Sequence, residues 1–169
     1  HVDPQAVYDK MAERGIMISA QAGANRVSVG KPEHCKLYIQ YLKEKVDAGV
    51  DFLTTQMVFD NNLFFNFLYK IREAGITVPV LPGIMPITNE KQVERAIKLS
   101  GAFMPQRFRA MVDKFGSNPE AMKQAGIAYA TDQIIDLYAT GITCVHVYSM
   151  NKPEVARKIS ENLGSIIKK

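Results

Sequence analysis

Along this chain, short apolar runs alternate with longer stretches in which apolar residues recur every three or four positions. The short runs predict strands over residues 16–22, 52–57, 78–81 and 142–148, with Pro79 a poor ladder partner at the start of the third. The stretches between them predict helices. Asp3 and Pro4 open the first, which Gly15 closes. A second runs over about residues 33–48, with Leu37, Tyr41, Leu42 and Val46 on one side and Gly49 at its end. Asp60 or Asn61 caps a third, which Gly75 stops, and Thr88 or Asn89 caps a fourth that reaches about residue 100. A long helix runs from Pro119 to about residue 140, and Asn151 caps a last one with Pro153 in its first turn. Residues 23–33 read as loop and residues 101–118 as a partly helical insertion.

The resulting order is one helix followed by four β-α units. Apolar, non-alternating strands between helices indicate a parallel sheet covered on both faces. A flavodoxin-like doubly wound sheet fits, and so does part of a (β/α)8 TIM barrel, which needs about 250 residues when complete. Four strands are half of a barrel, and a half-barrel leaves two parallel edges open. The barrel reading therefore predicts either a piece of a longer chain or association through those edges.

Composition narrows this picture. With 169 residues, 47% of them apolar, and a net charge of +4, one domain with a real core is expected and disorder is not. No run of about 18 apolar residues occurs, so no membrane span is expected. The basic residues are scattered, which does not suggest nucleic acid; the charge is a weak pointer to an anionic ligand. Cys35 and Cys144 are too few for a disulfide framework and read as free thiols in a reducing cytoplasm. The chain opens at His1 without a Met or an apolar signal core, as a processed or cropped chain does.

In either architecture, ligands bind beyond the C-terminal ends of the strands. Four segments lie there: Gln21 to Arg26, Thr55 to Asp60, Pro82 to Pro86, and Tyr148 to Asn151. Gln56 is the most telling residue, because an amide at the end of an apolar strand must satisfy both a donor and an acceptor. It suits a bidentate partner such as a pterin or pyrimidine edge, and equally a neighbouring strand or water. Ile84 and Met85 offer a wall for a flat ring, or only a tight turn. Asn89 and Gln92 have capping-box spacing, which competes with a ligand role for Gln92. Lys45 near a helix end, and Arg26 and Lys31 in the loop, either meet phosphate or are solvated. His146 alternates with Val145 and Val147 and reads as a hydrogen-bonded core residue, and Asp60 reads as an N-cap before a general base. No GxGxxG, Walker A or GxSxG motif occurs, and His1, His34 and His146 have no zinc spacing.

At Thr55-Gln56-Met57-Val58-Phe59-Asp60, Arg72 to Ile76 and Pro79 to Ile87, the sequence resembles the methylenetetrahydrofolate reductase family. The resemblance continues through Lys45 to Gly49 and His146 to Asn151, and covers roughly residues 40–164. It implies a flavin-dependent (β/α)8 barrel, of which this chain supplies strands five to eight as the C-terminal part of one domain over residues 1–169. The implied reaction is reduction of 5,10-methylenetetrahydrofolate to 5-methyltetrahydrofolate, with hydride passing from NAD(P)H or another electron donor through FAD. Carried over by position, Gln56, Gln92, Tyr148, Met150 and Lys152 face folate, Lys152 standing where the family often has arginine. Gln21, Ala22, Lys31 and Lys45 face the flavin. The family's Tyr-Pro-x-x-His-Pro-Glu run is reduced here to Pro32-Glu33, with Lys31 in place of the His. Its catalytic acid belongs to the N-terminal half, so the resemblance assigns none here and implies that the 169-residue piece alone is inactive. Two alternatives share the architecture: a corrinoid-linked folate methyltransferase-like barrel, and a non-catalytic half-barrel that pairs with a partner subunit or a second copy.

Overall fold

A computed structural model describes residues 13–15, 17 and 19–167; the expected first helix lies largely outside them. The strands β1 (Ser19–Ala22), β2 (Phe52–Met57), β3 (Val80–Ile84) and β4 (His146–Val147) form one sheet of order β1-β2-β3-β4. The β1–β2 and β3–β4 pairs are parallel, the register of the first setting Gln21 against Thr54 and Ala22 against Thr55. The helices are α1 (Ala24–Val29), α2 (Pro32–Asp47), α3 (Asn61–Glu73), α4 (Lys91–Ser100), α5 (Gln106–Phe115), α6 (Pro119–Ala139), α7 (Pro153–Asn162) and α8 (Gly164–Ile167). This is an α/β fold built on a parallel sheet.

The chain divides into two units: the residues up to Gln56 with Asn62–Leu81, and Met57–Asn61 with the residues from Pro82 onward. In the first unit, Leu42, Leu53, Phe64, Phe67 and Ile71 are buried, which accounts for the inward faces of α2, β2 and α3. α1 replaces the expected loop at residues 23–33. Six residues cannot sustain a helix alone. Here Ala24 and Val27 are buried, and side chains reach the terminal carbonyls: the single Cys35 S–H lies between Arg26 O and Val27 O, and Lys70 Nζ donates to Val27 O at 3.0 Å.

In the second unit the core gathers Met57, Phe59, Met85, Ile87, Ala96, Met104, Phe108 and Met122. The insertion contributes α5, whose Phe108 ring packs 4.9 Å from Phe59 and 5.1 Å from Tyr129. Asn118 opens α6 by accepting from the N–H groups of Glu120 and Ala121. Gly126 lets α6 run against the backbone of Ile87, because a Cβ there would overlap the Ile87 carbonyl.

Two strands differ from expectation. β3 extends to Ile84, so Pro82 to Ile84 are strand, and Ile84 and Met85 are buried core residues instead of a ligand wall. β4 is only His146–Val147, and His146 is exposed, its ring edge-on to Tyr148 at 4.5 Å. Among the described residues β4 pairs with β3 alone, so the alternation that suggested a core histidine leaves it on an uncovered face.

Candidate functional site

In the first unit, in-register parallel pairing puts Gln21 and Thr54 on one face of the sheet, and the period of two adds Gln56 to it. That face is accessible: Gln21 is exposed, while Thr54 and Gln56 are half-buried. Leu53, Thr55 and Met57 point the other way and are buried. Among the described residues the Gln56 side chain makes no hydrogen bond, although Thr55 Oγ1 donates to its backbone carbonyl at 2.8 Å. Ala22 is fully buried on the opposite face, so its side chain is turned away from Gln21 and Gln56.

Beyond β1, Arg26, Gly30, His34, Leu37, Tyr38 and Tyr41 line a cavity of about 450 Å³. The expected inward side of α2 is corrected here. Leu37 and Tyr41 are about half exposed, while Cys35 and Leu42 are buried. His34, Tyr38, Tyr41 and Lys45 are spaced by four, three and four, so they form one stripe along α2. Gly23 admits the Tyr38 ring against the end of β1, since a Cβ there would lie 2.7 Å from Tyr38 Cζ. Lys31 is the N-cap of α2 and Lys45 lies in its last turn, so a rise of 1.5 Å per residue separates them by about 21 Å. A single phosphate cannot meet both; a ligand reaching both must extend along the helix. Both lysines are exposed and form no ion pair among the described residues.

In the second unit a polar cluster joins two of the expected ligand residues. Asn89 Oδ1 accepts from Gln92 N at 3.1 Å, and Gln92 Oε1 accepts from Thr88 N at 2.7 Å. This is the reciprocal bonding of a capping box, shifted back by one residue. Thr88 Oγ1 also donates to Gln92 Oε1 at 3.2 Å and accepts from Lys152 Nζ at 2.8 Å. The expected N-cap Asn151 is displaced by Lys152, because Met150 and Asn151 both take positive φ, 50° and 59°, in the turn after β4. Two successive left-handed residues reverse the chain and bring Lys152 to Thr88. Tyr148 is half-buried with its N–H on Ile84 O at 2.9 Å, and Met150 is exposed.

A second set of polar side chains holds the loop after β2. Tyr129 OH donates to Phe59 O at 2.7 Å, Gln133 Nε2 to Val58 O at 3.2 Å, and Asn61 Nδ2 to Asp136 Oδ2 at 2.7 Å. Burial pushes the Tyr129 phenol up to about 12, so it stays a donor at any ordinary pH. Among the described residues no three His, Cys, Asp or Glu side chains converge as a metal site, and no helix is long and apolar enough to cross a membrane.

Sequence reasoning missed Thr88 as the link between Gln92 and Lys152, and it missed the His34–Tyr38–Tyr41 stripe. The i, i+4, i+7 spacing on α2 carried the second signal. The first had none, because residues 88 and 152 are far apart in sequence.

A parallel α/β sheet with polar side chains at its strand ends defines an enzyme-like scaffold, and comparison with known proteins makes that specific. The family model for methylenetetrahydrofolate reductase matches residues 25–164. The chain is 40% identical over 128 residues to methylenetetrahydrofolate reductase (NADH) 1 of Zea mays, covering 76% of this chain and 22% of that protein. It is 32% identical over 123 residues to the 5,10-methylenetetrahydrofolate reductase of Escherichia coli, covering 73% of this chain and 42% of that protein. A solved structure, an uncharacterized protein from Clostridium thermocellum that binds two copies of 5-methyl-5,6,7,8-tetrahydrofolic acid, matches with a TM-score of 0.62 at 14% identity. That match covers 95% of this chain and 58% of that one, and it bears on the fold alone. The chain belongs to the methylenetetrahydrofolate reductase family. It spans about a quarter of the plant relatives and less than half of the bacterial ones.

Proposed function

We propose that this chain is the C-terminal half of a (β/α)8 barrel, contributing strands five to eight of one domain. In the whole protein it serves flavin-dependent reduction of 5,10-methylenetetrahydrofolate to 5-methyltetrahydrofolate. The observation that carries the reading is the Thr88-centred cluster, which gathers Gln92 and Lys152, two of the residues the family likeness assigns to folate, just beyond β3 and β4. Within the second unit, Tyr148 and Met150 add apolar surface; in the first unit, Gln56 on the accessible face of β2 carries both the donor and the acceptor that a pterin edge requires.

The first unit fits FAD. The stripe on α2 offers aromatic surface at Tyr38 and Tyr41 and a cation at Lys45, while Lys31 at the α2 N-cap and Arg26 on α1 add positive charge toward the other end, an extended arrangement that suits a dinucleotide. Gln21 faces the same accessible side of the sheet as Gln56, and Ala22 contributes through its backbone. When bound, the flavin supplies the hydride chemistry, while these residues hold and orient it. NAD(P)H or an electron-donating protein provides reducing equivalents; relatives bear names with NADH and NADPH. The catalytic acid belongs to the part of the barrel outside this chain. A cytoplasmic location follows for such an enzyme, with association through open edges as the means by which the fragment would persist alone.

The test is the full-length protein with Gln56→Leu. Each pterin group left buried without a partner costs about 1–3 kcal/mol, so folate affinity and the rate of flavin reoxidation by methylenetetrahydrofolate should both fall. Flavin content and reduction by the donor should hold. Undiminished folate binding in a folded Gln56→Leu protein refutes the assignment, and a wild-type protein without a flavin absorption band refutes the flavin.

A further inference from the structure

We infer that Thr88 is a positioning residue that fixes Gln92 as a hydrogen-bond donor toward the ligand and holds Lys152 beside it. The inference rests on the folate reading and deepens it. A backbone N–H only donates, so the Gln92 atom 2.7 Å from Thr88 N is the amide oxygen. The Thr88 hydroxyl lies 2.8 Å from Lys152 Nζ, which has no lone pair, so the hydroxyl accepts there. Its own proton is then directed to Gln92 Oε1 at 3.2 Å. Thr88 is only 6% exposed, and in such a place a polar group keeps a fixed set of partners.

The consequence is a directional assignment. Two donors from one residue saturate the Gln92 oxygen, and its NH2 group is left for the ligand. Lys152 keeps two further N–H bonds after the one it gives to Thr88. Both side chains therefore offer donors only, and the ligand group they select is an acceptor, a carbonyl or carboxylate oxygen. Gln56 differs, since neither end of its amide is engaged among the described residues. The hydroxyl itself touches no ligand in this scheme; it acts through its neighbours.

The experiment compares Thr88→Val and Thr88→Ser in the full-length protein. The probe is 5-methyltetrahydrofolate titrated at equilibrium, with flavin content, donor-driven flavin reduction and thermal midpoint measured alongside. Valine keeps the shape and loses the hydroxyl, so affinity should fall about five- to tenfold, the net worth of one ordinary hydrogen bond. Serine keeps the hydroxyl and should bind within about twofold of wild type, and donor-driven flavin reduction should be unchanged in both. Equal binding by wild type and Thr88→Val overturns the inference and leaves the folate reading standing. So does a loss in Thr88→Ser as large as in Thr88→Val, or a parallel loss in the donor half-reaction. Failure of the wild-type protein to bind the probe overturns the folate reading, and the inference falls with it.

Discussion

Gly126→Ala sets two effects of opposite sign against each other. Gly126 lies inside α6, where alanine is intrinsically favoured by about 1 kcal/mol. Against that gain stands the Ile87 carbonyl, which an added Cβ would overlap, with the Ile87 carbonyl carbon next, 2.7 Å away. These are backbone atoms, and Ile87 is itself 1% exposed in the core, so no flexible side chain yields. Overpacking of this kind costs about 1–3 kcal/mol and more when backbone must move. The clash wins by about 1–2 kcal/mol, which lowers a urea midpoint by about 0.5–1 M at ordinary m-values. Gly164→Ala is the control, since a Cβ there meets nothing within 4 Å; its midpoint should stay level or rise. Because Ile87 precedes Thr88, displacement of its carbonyl should also weaken folate binding in the full-length protein. A Gly126→Ala protein as stable as wild type would refute the packing argument and leave helix propensity as the ruling term.

Two further outcomes follow from the site. Tyr129 has a folded-state pKa near 12 against an ordinary 10, so its contribution to stability is complete below pH 10 and is lost as pH rises through 12. Tyr129→Phe should cost about 1 kcal/mol at neutral pH, through the orphaned Phe59 carbonyl, and should flatten the loss between pH 10 and 12; equal alkaline slopes for the two proteins would contradict this. Lys45→Ala should reduce flavin retained through gel filtration, more at low salt than at high, and retention equal to wild type at both would make Lys45 a solvated surface residue.

The parts of this fold set by local rules were legible. β2 spans the expected residues 52–57, and α6 starts at the expected Pro119 and ends at Ala139, within a residue of the expected 140. What depended on partners far along the chain was not. α1 exists because Cys35 and Lys70 satisfy its carbonyls, and nothing in residues 23–33 announces that. The insertion hid a core role, since the Phe108 ring packs on Phe59 and Tyr129, which lie 49 and 21 residues away in sequence. Apolar periodicity misassigned Leu37 and Tyr41, because α2 carries apolar residues on two sides and periodicity does not say which is covered. At the site, Gln56 was legible as an amide at a strand end, and Gln92 as a capping residue. The hydroxyl that orients Gln92 was not, because its bond to Lys152 closes a gap of 64 residues.

The sheet order β1-β2-β3-β4 follows the order of the chain. Each new strand joins the edge left by its predecessor, and none has to be threaded between two strands already paired. Chains grow from the N-terminus at about 5–20 residues per second, far slower than local structure forms. During synthesis, β2, β3 and β4 therefore each leave the ribosome after the strand on whose edge they pair. Parallel pairing is ordinarily slow because a long loop must close first. Here that cost is divided into successive closures, each across a single connection, and the polypeptide can assemble as it is translated.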